Sequence, residues 1–246
     1  MYPIIPFVRT EQRSDIVTSW IDRQQRHNDD PLIERAFYYT KNEQHGIYAG
    51  SAQLHPFAQQ INHFASDLFL IVTAGQVMLR LSTGEDVVAQ AQESLVIPRG
   101  ATFHWLNTTG TAVWFVAYQP QQNPVEAAPQ APFKVDPNLE LEAIDGPSAE
   151  LITSAQRPEV QRNVVYLSAD GKFSVGIWQA TAYTRRLAAF GDYELMYPIA
   201  GAIEITNALG EARAFGAHEG FIVNRGVSNA WHSQGVVKKI YSKVSV

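Results

Sequence analysis

The stretch from Phe190 to Tyr241, FGDYELMYPIAGAIEITNALGEARAFGAHEGFIVNRGVSNAWHSQGVVKKIY, is a relay of short apolar segments divided by turn residues. The chain contains a second, diverged copy of it. Gly201 stands 126 positions after Gly75, and the same interval carries Ile203 onto Val77, Ile205 onto Leu79, Glu219 onto Glu93, Arg225 onto Arg99, Gly226 onto Gly100 and Trp231 onto Trp105. One register kept from Gly75 to Trp105 without a gap marks an internal duplication, so function has to be sought in two related units. Upstream, GIWQAT from Gly176 echoes GIYAGS from Gly46 at an interval of 130, which places four additional residues in the first copy around His55 to His63.

The segments have the period of strands. In QVMLRL, Val77, Leu79 and Leu81 fall on one face and Met78 and Arg80 on the other. LFLIVTAG (Leu68 to Gly75) and QVMLRL read as neighbouring antiparallel strands, and Asp170-Gly171 as a hairpin turn between strands. Many short strands with frequent turns predict an all-β barrel or sandwich. Helix is expected only in short pieces, chiefly over Ser14 to Gln25, where Ser14 caps and Ile16, Trp20 and Ile21 take partial helical spacing. Gln119 to Pro137 is rich in Pro, Gln and Ala and reads as a linker, because proline removes ladder donors. The predicted organisation is a first barrel with a short extension over 1–118, a linker over 119–137 and a second barrel over 138–246.

Composition narrows the function classes. At 246 residues, with 46% apolar and 17% charged side chains, the chain has material for two cores. A net charge of −5 without a basic run argues against nucleic acid as a partner. There is no cysteine, which excludes disulfides, thiolate metal sites and cysteine nucleophiles. No unbroken apolar segment approaches the roughly 18 residues of a membrane span, and Pro3 and Pro6 interrupt the N-terminal apolar residues. A cytoplasmic protein without a membrane partner is expected, as monomer or homodimer.

The spacing of Pro98, Gly100 and Asn107, and the six residues separating Glu194 from Gly201, resemble the two sequence motifs of the cupins, small jelly-roll barrels. GIWQAT, EGFIVNRGVSNAW and KKIY also resemble the cupin family of ureidoglycine aminohydrolase and the ethanolamine-utilisation cupins. The resemblance covers about Val164 to Ser242 well and Gly46 to Tyr118 more weakly. It implies two tandem cupin (double-stranded β-helix) barrels, a bicupin. In that family three His and one Glu hold a divalent metal inside the barrel. In the second copy Glu194 takes the carboxylate position, but the His positions fall on Leu187 and Ala189 (or Ala188 and Phe190) and on Asn229. In the first copy the Glu position is Leu68, and the His positions are Ile61, His63 and Phe103. Each copy retains one of four ligands, so no metal is expected. His63 and His104 are the residues from which a metal site would have to be built, and His104 lies one residue past the ligand position, on the opposite strand face.

Glu194 is the candidate catalytic residue, because an interior carboxylate needs a partner or loses its charge. Strand alternation puts Asn229, Trp231 and Ser233 on one face, and Asn229, the Trp231 indole N–H and Tyr241 are the expected donors to it. His63, Trp105 and Asn107 are the ligand-binding candidates of the first barrel. Arg99 and Arg225, each before a turn glycine, and Arg185-Arg186 are further candidates for holding a carboxylate. The expected function is metal-independent binding or conversion of a small polar molecule in a barrel pocket. Two alternatives stand beside it: a metal-dependent amidohydrolase resembling ureidoglycine aminohydrolase, and a structural or regulatory bicupin without catalysis.

Overall fold

The computed structural model describes residues 4–7, 36–120 and 130–246. The helix expected over Ser14 to Gln25 and the linker from 121 to 129 lie outside the described residues. The chain forms two compact units, one of residues 8–135 with 168–171, the other of residues 1–7, 136–167 and 172–246. Strand β1 (Ile4–Pro6) belongs to the second of these. In the first unit follow β2 (Ala36–Asn42), β3 (Ile47–Leu54), β4 (Phe57–Ile61), β5 (Asp67–Ala74), β6 (Gln76–Leu81), β7 (Asp86–Gln90), β8 (Ser94–Ile97), β9 (Phe103–Asn107), β10 (Thr111–Tyr118) and β11 (Phe133–Lys134). The second unit continues with β12 (Glu142–Ile144), β13 (Val160–Leu167), β14 (Phe173–Ala180), β15 (Tyr183–Ala189), β16 (Tyr193–Ala200), β17 (Ile203–Asn207), β18 (Ala212–Phe215), β19 (Phe221–Val223), β20 (Ser228–Ser233) and β21 (Val237–Val244). Among the described residues, the one helical piece is a 3₁₀ turn at Ala149–Leu151.

Each unit is a jelly roll of two antiparallel sheets. The first has the orders β11-β8-β5-β10-β3-β2 and β4-β9-β6-β7, the second β1-β19-β16-β21-β14-β13-β12 and β15-β20-β17-β18. β5 and β6 are therefore not neighbours, contrary to the sequence expectation. The chain leaves one sheet after Ala74, turns at Gly75 and enters the other, so β5 pairs with β8 and β10 while β6 pairs with β7 and β9. Gly75 and Gly201 hold this crossover with φ of 74° and 75°, a left-handed conformation open to glycine. The matched Glu93 and Glu219 each tie down a turn. Their carboxylates accept the backbone N–H three residues back, from Gln90 at 2.9 Å and from Gly216 at 2.6 Å. The Gln90 N–H, more than Lys134, holds the Glu93 carboxyl below its ordinary value.

Strand pairing extends the duplication and corrects it. Tyr118 faces Ile47 and Thr111 faces Leu54 in the first barrel, while Val244 faces Phe173 and Val237 faces Ala180 in the second. Phe57 faces Asn107, and Tyr183 faces Ser233. These pairs are all related by the interval of 126 that separates Gly75 from Gly201. Gly176 therefore corresponds to Gly50 rather than Gly46, and no four-residue excess exists around His55 to His63. Gly46 instead closes the turn before β3, with φ of 67° and its N–H on the Glu43 carbonyl.

The outer edge of each larger sheet is covered by a short strand. β11 covers β8 in the first barrel, so part of the expected linker is sheet. β1 covers β19 in the second, with Ile4 opposite Val223 and Pro6 opposite Phe221. The sequence expectation groups Ile4–Pro6 with the first barrel. It lies with the second because β19 has a free edge to satisfy, and an edge position tolerates the proline.

Candidate functional site

The two barrels differ in what fills them. The first interior is apolar: Ala36, Ala52, Leu68, Leu70, Phe103, Trp105, Val113, Phe115 and Ala117 belong to one closed cluster, each 1% exposed or less. At the corresponding positions the second barrel has Arg162, Trp178, Glu194, Met196, Asn229, Trp231, Lys239, Tyr241 and Lys243. All of these except Asn229 line a cavity of about 250 Å³, which Tyr183, Arg185 and Phe190 help to enclose.

Three strands of the larger sheet supply the floor. Cross-strand neighbours share a face, so Trp178 sits beside Lys239, Gly176 beside Tyr241, Met196 beside Tyr241 and Glu194 beside Lys243. Gly176 makes room at this point. A Cβ there would stand 2.6 Å from the Tyr241 hydroxyl oxygen and 2.7 Å from its ring carbon. The missing side chain is the space that the Tyr241 phenol occupies. The opposite sheet contributes Tyr183 and Arg185 from β15 and Trp231 from β20, with Arg185 directly opposite Trp231.

At the centre, the Lys239 ammonium donates to Glu194 Oε1 at 2.7 Å, with side-chain exposures of 7% and 12%. The same ammonium stands 4.9 Å from the Trp178 ring centroid and 5.5 Å from that of Trp231, so indole faces support the charge on two sides. Trp231 stacks on Tyr183 at 5.6 Å and meets Trp178 edge-on at 5.7 Å, which fixes the cage. Burial raises the Tyr183 phenol far above its ordinary value, against the pull of nearby Arg185 and with a contribution from Glu194. Burial likewise pushes Tyr241 up to about 12. Both phenols are therefore neutral donors at physiological pH.

Arg185 is the second buried cation. Its residue is 8% exposed, and its guanidinium donates to Asn229 Oδ1 at 2.6 Å. Burial lowers its pKa from the ordinary value, but a guanidinium keeps its charge at neutral pH. Arg162 and Lys243 stand at the mouth, where Lys243 is 3.4 Å from Asp192.

Among the residues that the sequence singled out, Arg185, Glu194, Trp231 and Tyr241 come together here. The expected donors to Glu194 are corrected: Lys239 takes that place, while Asn229 accepts from Arg185 and donates to the Val227 carbonyl at 3.4 Å. Ser233 does not line the cavity; its buried hydroxyl accepts the Tyr183 N–H at 3.3 Å. The Trp231 indole nitrogen is buried without a partner. Lys239 was legible in principle, since Lys239, Tyr241 and Lys243 alternate along one strand face, but its partner across the barrel depends on how the sheet closes.

The first-barrel candidates do not converge. Trp105 is fully buried between Phe57 and Phe103, and Asn107 donates to the Thr109 and His55 carbonyls, so both are packing elements. His63 is exposed on the turn before β5, with φ of 59° and its N–H on the Thr102 hydroxyl. His104 lies on the outer, half-buried face of β9, as the one-residue slip requires. Arg225 donates to the Gly191 carbonyl at 3.2 Å on the exterior. His218 meets the Tyr197 hydroxyl through Nδ1 at 2.9 Å, and His232 meets Thr184 the same way at the same distance.

The donor set in the cavity does not fit a transition metal. Among the described residues Glu194 is its one carboxylate, already bound to Lys239, no imidazole lines it, and no group of three or more His, Cys, Asp or Glu comes together.

Solved structures show the same architecture. A protein of unknown function of the DUF861 family from Pseudomonas syringae pv. tomato superposes with a TM-score of 0.85 at 22% identity, over 98% of this chain and 99% of that one. A cupin 2 conserved barrel domain protein from Leptotrichia buccalis matches with a TM-score of 0.58 at 7% identity, over 85% and 88% of the two chains. Protein Ylba from E. coli, also DUF861, matches at 0.54 and 14% identity over 94% of each. No protein-family profile and no curated protein matches the sequence. The chain is a bicupin by fold. Among the described residues, no helix is long and apolar enough to cross a membrane.

Proposed function

We propose that the second barrel binds a small polar molecule without a metal, and that the first barrel is its structural companion. The observation that carries this reading is the replacement of a sealed apolar interior by an ion pair and a cavity at matched positions: Glu194 for Leu68 and Lys239 for Val113. Burying two charges costs several kcal/mol of desolvation even when they pair, roughly what their attraction returns. A core built only for stability avoids that cost with apolar side chains, and the first barrel does so. The cavity is below the roughly 300 Å³ at which drug-sized pockets begin, which suits a small metabolite. A cytoplasmic location belongs to the same reading and rests on the cysteine-free composition.

The test is a thermal-shift screen of small acids, amides and sugars on the wild type and on the double variant Glu194→Leu/Lys239→Val, which installs the first barrel's residues. Compounds that raise the wild-type melting temperature are expected to raise that of the folded double variant less, because its pocket has lost the polar pair and changed shape. Equal shifts in both proteins would place binding elsewhere and overturn the reading.

A further inference from the structure

The charge balance inside the cavity names the class of molecule. Glu194 neutralises Lys239, and Asp192 stands by Lys243 at the rim. Arg185 is left over. Among the described residues no carboxylate reaches ion-pair distance of it, and its side chain makes one hydrogen bond, to the neutral Asn229. A buried guanidinium with five N–H donors, one of them engaged, is a costly group to keep. Its equivalent in the first barrel is Gln59, which has no charge to compensate. The residues around Arg185 also reject simple alternatives. Glu194 is occupied, the nearby phenols are held neutral, and Arg162 at the mouth adds a second positive charge.

Resting on the pocket assigned above, we infer that its occupant is a small organic carboxylate, with the carboxylate on the Arg185 guanidinium and the body against the Trp178, Phe190 and Tyr241 wall. The planar fork of a guanidinium matches a carboxylate in two parallel hydrogen bonds, which a lysine does not reproduce. Aromatic and apolar walls call for a carbon skeleton behind the anion, since an inorganic anion would leave them wet. The arrangement also orders the two buried cations by role. Lys239, with its own carboxylate and two indole faces, is internally satisfied, and Arg185 becomes satisfied on binding.

The experiment is a tryptophan-fluorescence titration with paired acid and amide probes, benzoate with benzamide and acetate with acetamide, plus inorganic phosphate. It is run on the wild type, Arg185→Met and Arg185→Lys, with circular dichroism confirming the fold of each. Benzoate is expected to bind at least about tenfold more tightly than benzamide, and more tightly than acetate or phosphate. Arg185→Met abolishes the acid-over-amide preference, and Arg185→Lys retains part of it. Without ligand, Arg185→Met raises the melting temperature, because it removes an uncompensated buried charge; a merely structural arginine would give a fall. Equal binding of acid and amide, or phosphate binding as tightly as benzoate, overturns the carboxylate assignment and leaves the polar pocket standing. Absence of binding by every acid also overturns it. The pocket itself is judged separately, by the Glu194→Leu/Lys239→Val screen.

Discussion

Glu194 and Lys239 show why the same position has opposite consequences in the two barrels. Removing Lys239 alone, as in Lys239→Met, strands a nearly buried carboxylate. The expected loss is about 2–3 kcal/mol, below the roughly 3–5 kcal/mol of a fully sealed pair because the cavity admits solvent. Glu194→Leu together with Lys239→Val is expected to cost less than Lys239→Met alone, since no charge is left without a partner. Denaturant unfolding of the two variants measures the difference, and a double variant weaker than the single one would contradict it. Gly176 offers a second residue-scale test. Gly176→Ala places a methyl group 2.6 Å from the Tyr241 hydroxyl oxygen and 2.5 Å from the Asn163 carbonyl oxygen. A destabilisation of about 1–3 kcal/mol from overpacking is expected, with a changed environment for Tyr241 in near-ultraviolet circular dichroism.

At the scale of elements, β1 does more than its length suggests. It pairs with β19, Ile4 joins the second barrel's core, and the Phe7 N–H reaches the Gly220 carbonyl at 2.8 Å. Deleting residues 1–7 is expected to lower the melting temperature and to speed amide exchange across Phe221–Val223; unchanged protection there would show that β1 is dispensable. This arrangement was not legible in the sequence, because so short a strand has no period and its partner lies near the other end of the chain. The duplication from Gly75 to Trp105 was legible, since turn glycines and alternating apolar residues repeat at one interval. Its upstream part was not. The dipeptide Gly-Ile at Gly46 matches Gly176 by letters, whereas the strand pairing equates Gly176 with Gly50, both in mid-strand. Glu194 could be assigned to the interior through the resemblance of its spacing from Gly201 to the cupin motif, yet its partner could not, because contacts across a barrel depend on closure rather than on spacing.

Over the whole molecule, tyrosine burial is expected to make stability fall in alkali. Burial pushes Tyr197 and Tyr241 up to about 12 and raises Tyr118 and Tyr183 as well, while tyrosines of the unfolded chain titrate at about 10. Between those values the folded state binds more protons than the unfolded one, so stability falls as pH rises. The contribution is complete below about pH 10 and lost progressively toward about pH 12. Thermal melts followed across that range, with phenolate absorbance as the second signal, should show tyrosine ionisation appearing together with unfolding. Ionisation of all tyrosines near about pH 10 in the intact protein would contradict the burial described.

In the proposed reading one barrel is filled and the other takes a ligand. The indole N–H resonances test it most directly, because Trp105 and Trp231 occupy matched positions in the two barrels. In a ¹⁵N correlation spectrum titrated with the acids and amides that stabilise the protein, the Trp178 and Trp231 indole signals are expected to move in a saturable way while the Trp105 signal stays in place. Movement of Trp105 with Trp178 and Trp231 unmoved would contradict the account.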